Sequence, residues 1–181
     1  TARTITSSLS DIHGAITGAI ASLKGPLHGG ANEEVMRMLK KIKNPVNAKK
    51  WILDALENKE IIMGFGHRVY TKGDSRVPTM KKYYYKVAEL LKEKKLPKIS
   101  QIIEDVMIEK KDIHPNVDYP TGPTYHLMGF DTDFFTPIFV MSRITGWSAH
   151  IIEQHASNKL IRPLSKYSGE KHRKVMPLNH R

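Results

Sequence analysis

Ile12-His13-Gly14-Ala15-Ile16-Thr17-Gly18-Ala19-Ile20-Ala21-Ser22-Leu23 decides the fold class. Ile12, Ala15, Ile16, Ala19, Ile20 and Leu23 recur three and four apart, one stripe on a helix of 3.6 residues per turn. Ser10 or Asp11 stands where an N-cap accepts free amides, and Gly25-Pro26 stops the helix. The same period continues outward. Asn32 reads as the N-cap of a second helix, with Glu33 and Glu34 in its first turn and Val35, Met38, Leu39 and Ile42 facing inward; Asn44-Pro45 breaks it. Trp51, Ile52, Ala55 and Leu56 mark a third helix. Asp74 through Pro78 lead into a long one striped by Met80, Tyr83, Tyr84, Val87, Leu90 and Leu91, so Tyr83-Tyr84-Tyr85 reads as packing. Ile99, Ile102, Ile103, Val106 and Met107 mark the next, and Phe134 to Asn158 is apolar and helical, with Pro137 near enough its start to be tolerated. Strand alternation is essentially absent, so the predicted class is all-α.

The chain has 181 residues, 40% hydrophobic and 26% charged, enough for one soluble domain with a sizeable core. No apolar run approaches the roughly 18–20 residues of a membrane span, so no membrane partner is expected. The opening Thr-Ala-Arg-Thr-Ile-Thr lacks the apolar core of a secretory signal, and a cytoplasmic enzyme fits. Zero cysteines exclude disulfides and thiolate metal sites. A net charge of +11 admits nucleic-acid binding, a funnel for polyanionic small molecules, or lysine-rich solvated faces. Lys40, Lys41, Lys43, Lys49 and Lys50 form one cluster and Lys92, Lys94, Lys95 and Lys98 another, both at helix ends, where cations suit the dipole. No aromatic or arginine interleaving marks a base-reading surface, so solvated faces are the preferred reading and no nucleic-acid partner is expected.

Two loops carry the chemistry. Gly25-Pro26-Leu27-His28-Gly29-Gly30-Ala31-Asn32 and Gly64-Phe65-Gly66-His67-Arg68-Val69-Tyr70 each set one histidine on a glycine-tightened backbone. Histidine can donate, accept or polarise near neutral pH. One such loop is often a mere helix cap; two point to one shared site. Both loops resemble the histidine motifs of the citrate synthase family. Pro115-Asn116-Val117-Asp118 resembles that family's catalytic-aspartate segment, and the C-terminal pattern follows in Phe135 to Arg143, Gly146 to Gln154 and Ile161-Arg162-Pro163.

The resemblance implies a two-domain helical fold seen here as its C-terminal half: residues 1–30 in the large domain, 31–129 the small domain, 130–181 a return to the large domain and a basic tail. The family's other half would hold most of the large domain and a further substrate histidine, so this chain alone is expected to be inactive or feeble. The implied reaction condenses acetyl-CoA with oxaloacetate and hydrolyses the thioester to citrate and CoA; 2-methylcitrate synthesis from propionyl-CoA is the alternative. Removing a weakly acidic methyl proton needs a base, a donor at the thioester oxygen and a polariser for the ketone. By resemblance these are Asp118, His28 and His67 respectively. Lying just before a helix N-terminus, His28 is expected to be a neutral imidazole. Taken alone, Asp118 would read as a helix N-cap.

Arg76, Arg143 and Arg162 match the family's dicarboxylate-binding arginines, the last reaching into a neighbour's site, which implies a homodimer through the large domain. Arg143 is also conspicuous by itself, as a charge in an apolar helix that needs a partner. A buried salt bridge would explain it equally well. Acyl-CoA, a co-substrate and not a tightly bound cofactor, would lie against Ile61, Ile62, Met63, Gly64, Phe65 and Gly66, with Arg68 a phosphate partner. The chain departs from the family in Asp74-Ser75-Arg76-Val77, which lacks a common proline, and in the proline-rich Tyr119-Pro120-Thr121-Gly122-Pro123. The second could alter acyl-chain tolerance. His150 and His155 fall on different helix faces, and no metal site is expected. A basic nucleic-acid module and a non-catalytic assembly partner are the competing classes; intact His28, His67 and Asp118 argue against the latter.

Overall fold

In the computed structural model, which describes residues 1–70 and 73–180, every regular element is helical. The α-helices are α1 (Ala2–Thr6), α2 (Ile12–Leu23), α3 (Ala31–Ile42), α4 (Pro45–Glu57), α5 (Val77–Leu90), α6 (Lys95–Lys111), α7 (Asp118–Leu127) and α8 (Phe135–Ala156). No strand is present among the described residues; the one extended pairing is an isolated antiparallel bridge between Phe65 and Pro115. Nor is any described helix long and apolar enough to cross a membrane.

Two cores organise these helices. Ala2, Ala15, Ala19 and Ile151 bring α1, α2 and α8 together around mostly small side chains. Val35, Leu39, Ile52, Ile103, Met107 and Tyr119 join α3, α4, α6 and α7 in a larger core, with α5 packed on α7. α8 takes part in both: Phe135 at its first turn is fully buried in the larger core, and Ile151, four turns on, in the smaller. Glu33 of α3 fastens that junction by accepting the free amide of Thr136 at 3.1 Å and also its hydroxyl.

Helix ends follow the sequence chemistry at two places. Asp11 caps α2 by accepting from Gly14 N at 2.8 Å, and Asn44 caps α4 with Pro45 in the first position. Two expectations are corrected. α3 begins two residues earlier than read, with Gly30 as its N-cap, so Asn32 lies inside the first turn, fully buried. Gly30 can sit there because it lacks a side chain; a Cβ would meet the Lys24 carbonyl oxygen at 2.6 Å. On α5 the buried residues are Val77, Tyr84 and Ala88, while Tyr83, Leu90 and Leu91 are exposed. Polar partners on α6 set that register: Tyr84 Oη pairs with Ser100 Oγ at 3.1 Å, Tyr85 Oη donates to Gln101, and Lys81 meets Glu104 at 2.7 Å.

Candidate active site

His28 lies in a tight loop between α2 and α3. Its amide donates to Gly25 O at 2.9 Å, and its carbonyl accepts from Ala31 N at 3.0 Å. Burial and the nearby Arg143 charge both lower its pKa, so the ring is neutral at physiological pH. The expectation drawn from the helix terminus reaches the same state by other causes.

The second loop is bound alongside the Asp118 segment. Gly66 N donates to His114 O, Asn116 N to Gly64 O, and Asn116 Nδ2 to Gly66 O, each at 2.9 Å. Gly64 has φ +85, and a Cβ there would lie 2.7 Å from Val35 and 2.9 Å from Tyr119, so the loop can approach the core at this point only as glycine. Phe65 packs on Tyr119 with ring centroids 4.5 Å apart. Beyond it, Val69 N and Tyr70 N both donate to His67 Nδ1, at 3.0 and 3.2 Å. With Nδ1 committed as an acceptor, a neutral His67 carries its proton on Nε2 and can only donate from there.

Asp118 is the first residue of α7, one position inside the N-cap Val117. Its amide donates to Asn116 Oδ1 at 3.0 Å. Its carboxyl Oδ1 is buried with no hydrogen-bond partner. Burial pushes the pKa up to about 6; Arg76 and Arg143 oppose that rise and Asp74 adds to it. Asp118 is therefore no capping side chain but a desolvated carboxylate.

His28, His67 and Asp118 line one cavity of about 310 Å³, together with Asn116 and the segment 61–68. Ile61, Ile62, Met63, Gly64, Phe65, Gly66 and Arg68 are thus all on its wall. Arg76 and Arg143 are not; they act on it through charge. Arg76 is held by Asp74 and lies 5.6 Å over the Tyr70 ring. Arg143 lies 5.7 Å over the Phe139 ring, and among the described residues no carboxylate is within salt-bridge reach, so the buried ion pair that would have explained it is absent. Arg162 follows α8 on an exposed segment and is not on the wall.

A larger cavity of about 630 Å³ between α2, α3 and α8 carries Glu33, Arg37 and Asp133, which pair with one another or with the α8 terminus, and holds no histidine. His150 and His155 are engaged by Arg3 and by the Ser10 carbonyl respectively. Two residues that sequence reasoning passed over are Asn116, whose side chain bridges Gly66 O and Asp118 N, and Asp74. Asn116 stood inside the quoted motif; only the pairing of distant segments reveals its work.

Comparison with known proteins gives the same direction throughout. The family model described as citrate synthase, C-terminal domain, matches residues 1–164. A 2-methylcitrate synthase 2 of Corynebacterium glutamicum is 54% identical over the whole chain, and citrate synthase 2 of Bacillus subtilis is 49% identical over the whole chain. The chain spans about half the length of these relatives, 47% and 49%. Among solved structures, the citrate synthase of the archaeon Thermoplasma acidophilum, in ternary complex with carboxymethyl coenzyme A and oxaloacetate, superposes with a TM-score of 0.89 at 40% identity, covering 99% of this chain and 49% of that one. With nearly its full length matched by that family's model and by these relatives, the chain belongs to the citrate synthase family.

Proposed function

We propose that the whole protein condenses a short acyl-CoA thioester with oxaloacetate and hydrolyses the product thioester to release CoA. The observation that carries this reading is the convergence of His28, His67 and the desolvated Asp118 on one cavity wall. Asp118 takes a proton from the carbon next to the thioester carbonyl. A carboxylate lifted to about 6 is a better base than a solvated one, yet still needs help. Neutral His28 supplies it by donating to the oxygen on which charge develops. The enolic carbon then attacks the ketone of oxaloacetate, whose oxygen is polarised by the Nε2–H of His67. Water finally cleaves the thioester, giving the tricarboxylate and CoA thiol.

Arg76 and Arg143 serve the dicarboxylate, for which a planar guanidinium is suited. The backbone of 61–66 and Arg68 serve the CoA portion. Arg162, exposed and off the wall, fits a role in a neighbouring subunit's site within a homodimer. The division at residues 1–30, 31–129 and 130–181 is supported by one core of α1, α2 and α8 and another drawn from 31–129 apart from Phe135.

Propionyl-CoA is a real competitor to acetyl-CoA, because relatives named 2-methylcitrate synthase reach 56% identity. One methylene in an apolar pocket discriminates by only about 1–3 kcal/mol. The test is CoA thiol release by the whole protein from each thioester with oxaloacetate. Release is expected with both, at unequal kcat/KM, and the larger value names the activity. Failure with both thioesters would refute the proposal.

A further inference from the structure

Asp74 has no role in the reaction as drawn, yet its side chain is wholly buried and both oxygens are fully used. Oδ1 accepts from Arg76 N at 3.0 Å and Arg76 Nε at 2.9 Å. Oδ2 accepts from Arg76 Nη2 at 2.7 Å and from Val117 N at 3.1 Å. The last donor is distant in sequence and immediately precedes Asp118. One carboxylate therefore grips a guanidinium in a two-pronged fork and ties down the first turn of α7. The fork fixes the guanidinium plane, while the Arg76 side chain stays 45% exposed for a ligand to meet.

We propose that Asp74 is a positioning residue for the reaction, keeping the arginine that receives the keto acid and the carboxylate base in fixed register. The inference rests on the function proposed above, in which Arg76 binds the dicarboxylate and Asp118 is the base. Bonds from Arg76 hold the Asp74 carboxyl down to about 2, so it stays ionised wherever the reaction runs. Its charge also reaches Asp118. The other charged or titratable groups around Asp118 are Arg76 from the same loop as Asp74, Arg143 from α8, Tyr125 on its own helix, and the imidazoles of His28 and His67 across the cavity. Of these, Asp74 is the carboxylate that discourages ionisation of Asp118.

The test compares wild type, Asp74→Asn and Asp74→Glu in the whole protein. It follows kcat against pH, both KM values, and the ¹³C titration of the Asp118 carboxyl. In Asp74→Asn the keto-acid KM should rise about tenfold or more while the acyl-CoA KM stays within about twofold. The acidic limb of kcat should move to lower pH, because a like charge has been removed. Asp74→Glu should raise the keto-acid KM yet leave the limb in place, since it disturbs the fork but keeps the charge. Simple loosening of the fold would move the limb in both variants.

Equal changes in the two KM values with an unmoved limb would reduce Asp74 to a structural role and overturn the proposal. Should Asp74→Asn fail to fold, Asp74→Glu decides alone, and an unchanged keto-acid KM overturns it. A wild-type protein without condensation would instead sink the proposed function. The Asp118 titration then still judges Asp74: its midpoint must fall in the Asn variant and hold in the Glu variant.

Discussion

Asp118 is costly to the fold at neutral pH. Its pKa of about 6 lies above the ordinary carboxylate value, so ionisation is harder in the folded state than in the unfolded chain. The sign follows: as pH rises from about 4 through 6 the unfolded chain releases its proton first, and stability falls. Asp118→Asn should therefore raise stability at pH 7–8 by roughly 1–3 kcal/mol while lowering turnover by orders of magnitude. Thermal melts and thiol release on the same preparation check both halves. Wild-type kcat should decline as pH drops through about 6, where the base becomes protonated. His28, His67 and Asp118 were legible because each sits in a long motif read in order. Asp74 was not, because its decisive partner, Val117, is remote in the chain and nothing local announces it. Asn32 was misread for the converse reason: a good capping residue loses that role when a glycine before it admits the helix earlier.

At the scale of elements, the site depends on how closely α7 approaches its neighbours. Gly122 of α7 lies against α3, where a Cβ would stand 2.6 Å from the Asn32 carbonyl oxygen. Backbone cannot swing aside as a flexible side chain can, so Gly122→Ala should force α3 and α7 apart. We expect a loss of about 2–4 kcal/mol by denaturant unfolding, with turnover falling in the variant that remains folded. Most helix positions were readable from periodicity: α3 buries every residue expected of it, α4 and α6 bury or half-bury theirs, and α2 buries Ala15, Ala19 and Leu23 of its stripe while Ile12 is exposed. The α5 face was not. Three consecutive tyrosines offer several apolar stripes of similar quality, and the choice was made by Ser100, Gln101 and Glu104 on another helix. The loops at Gly64 and Gly66 were recognised as tight, but their side-by-side bonding to 114–116 is a tertiary fact.

At the scale of the whole molecule, α8 leaves large apolar side chains uncovered, among them Met141 at 74% and Ile152 at 65% exposure. Large apolar side chains clustered on an exposed helix surface ordinarily mark a contact face. Residues 1–181 expressed alone should therefore show less than roughly 1% of the whole protein's turnover and bind an apolar dye, both reversed when the whole protein is used. The charge of +11 fits a solvated lysine-rich surface, so turnover should fall only modestly between low and physiological salt, in contrast to the steep loss of a phosphate-tracking protein. The central claim concerns one carbon: Asp118 removes its proton while His28 steadies the charge that results. The most direct measurement is deuterium uptake from D₂O into the acyl group of acetyl-CoA or propionyl-CoA, next to its carbonyl, by the whole protein holding a keto-acid analogue that cannot condense. Uptake should proceed in wild type and fall at least about a hundredfold in both Asp118→Asn and His28→Ala. Wild-type uptake persisting in the Asp118→Asn protein would contradict the account.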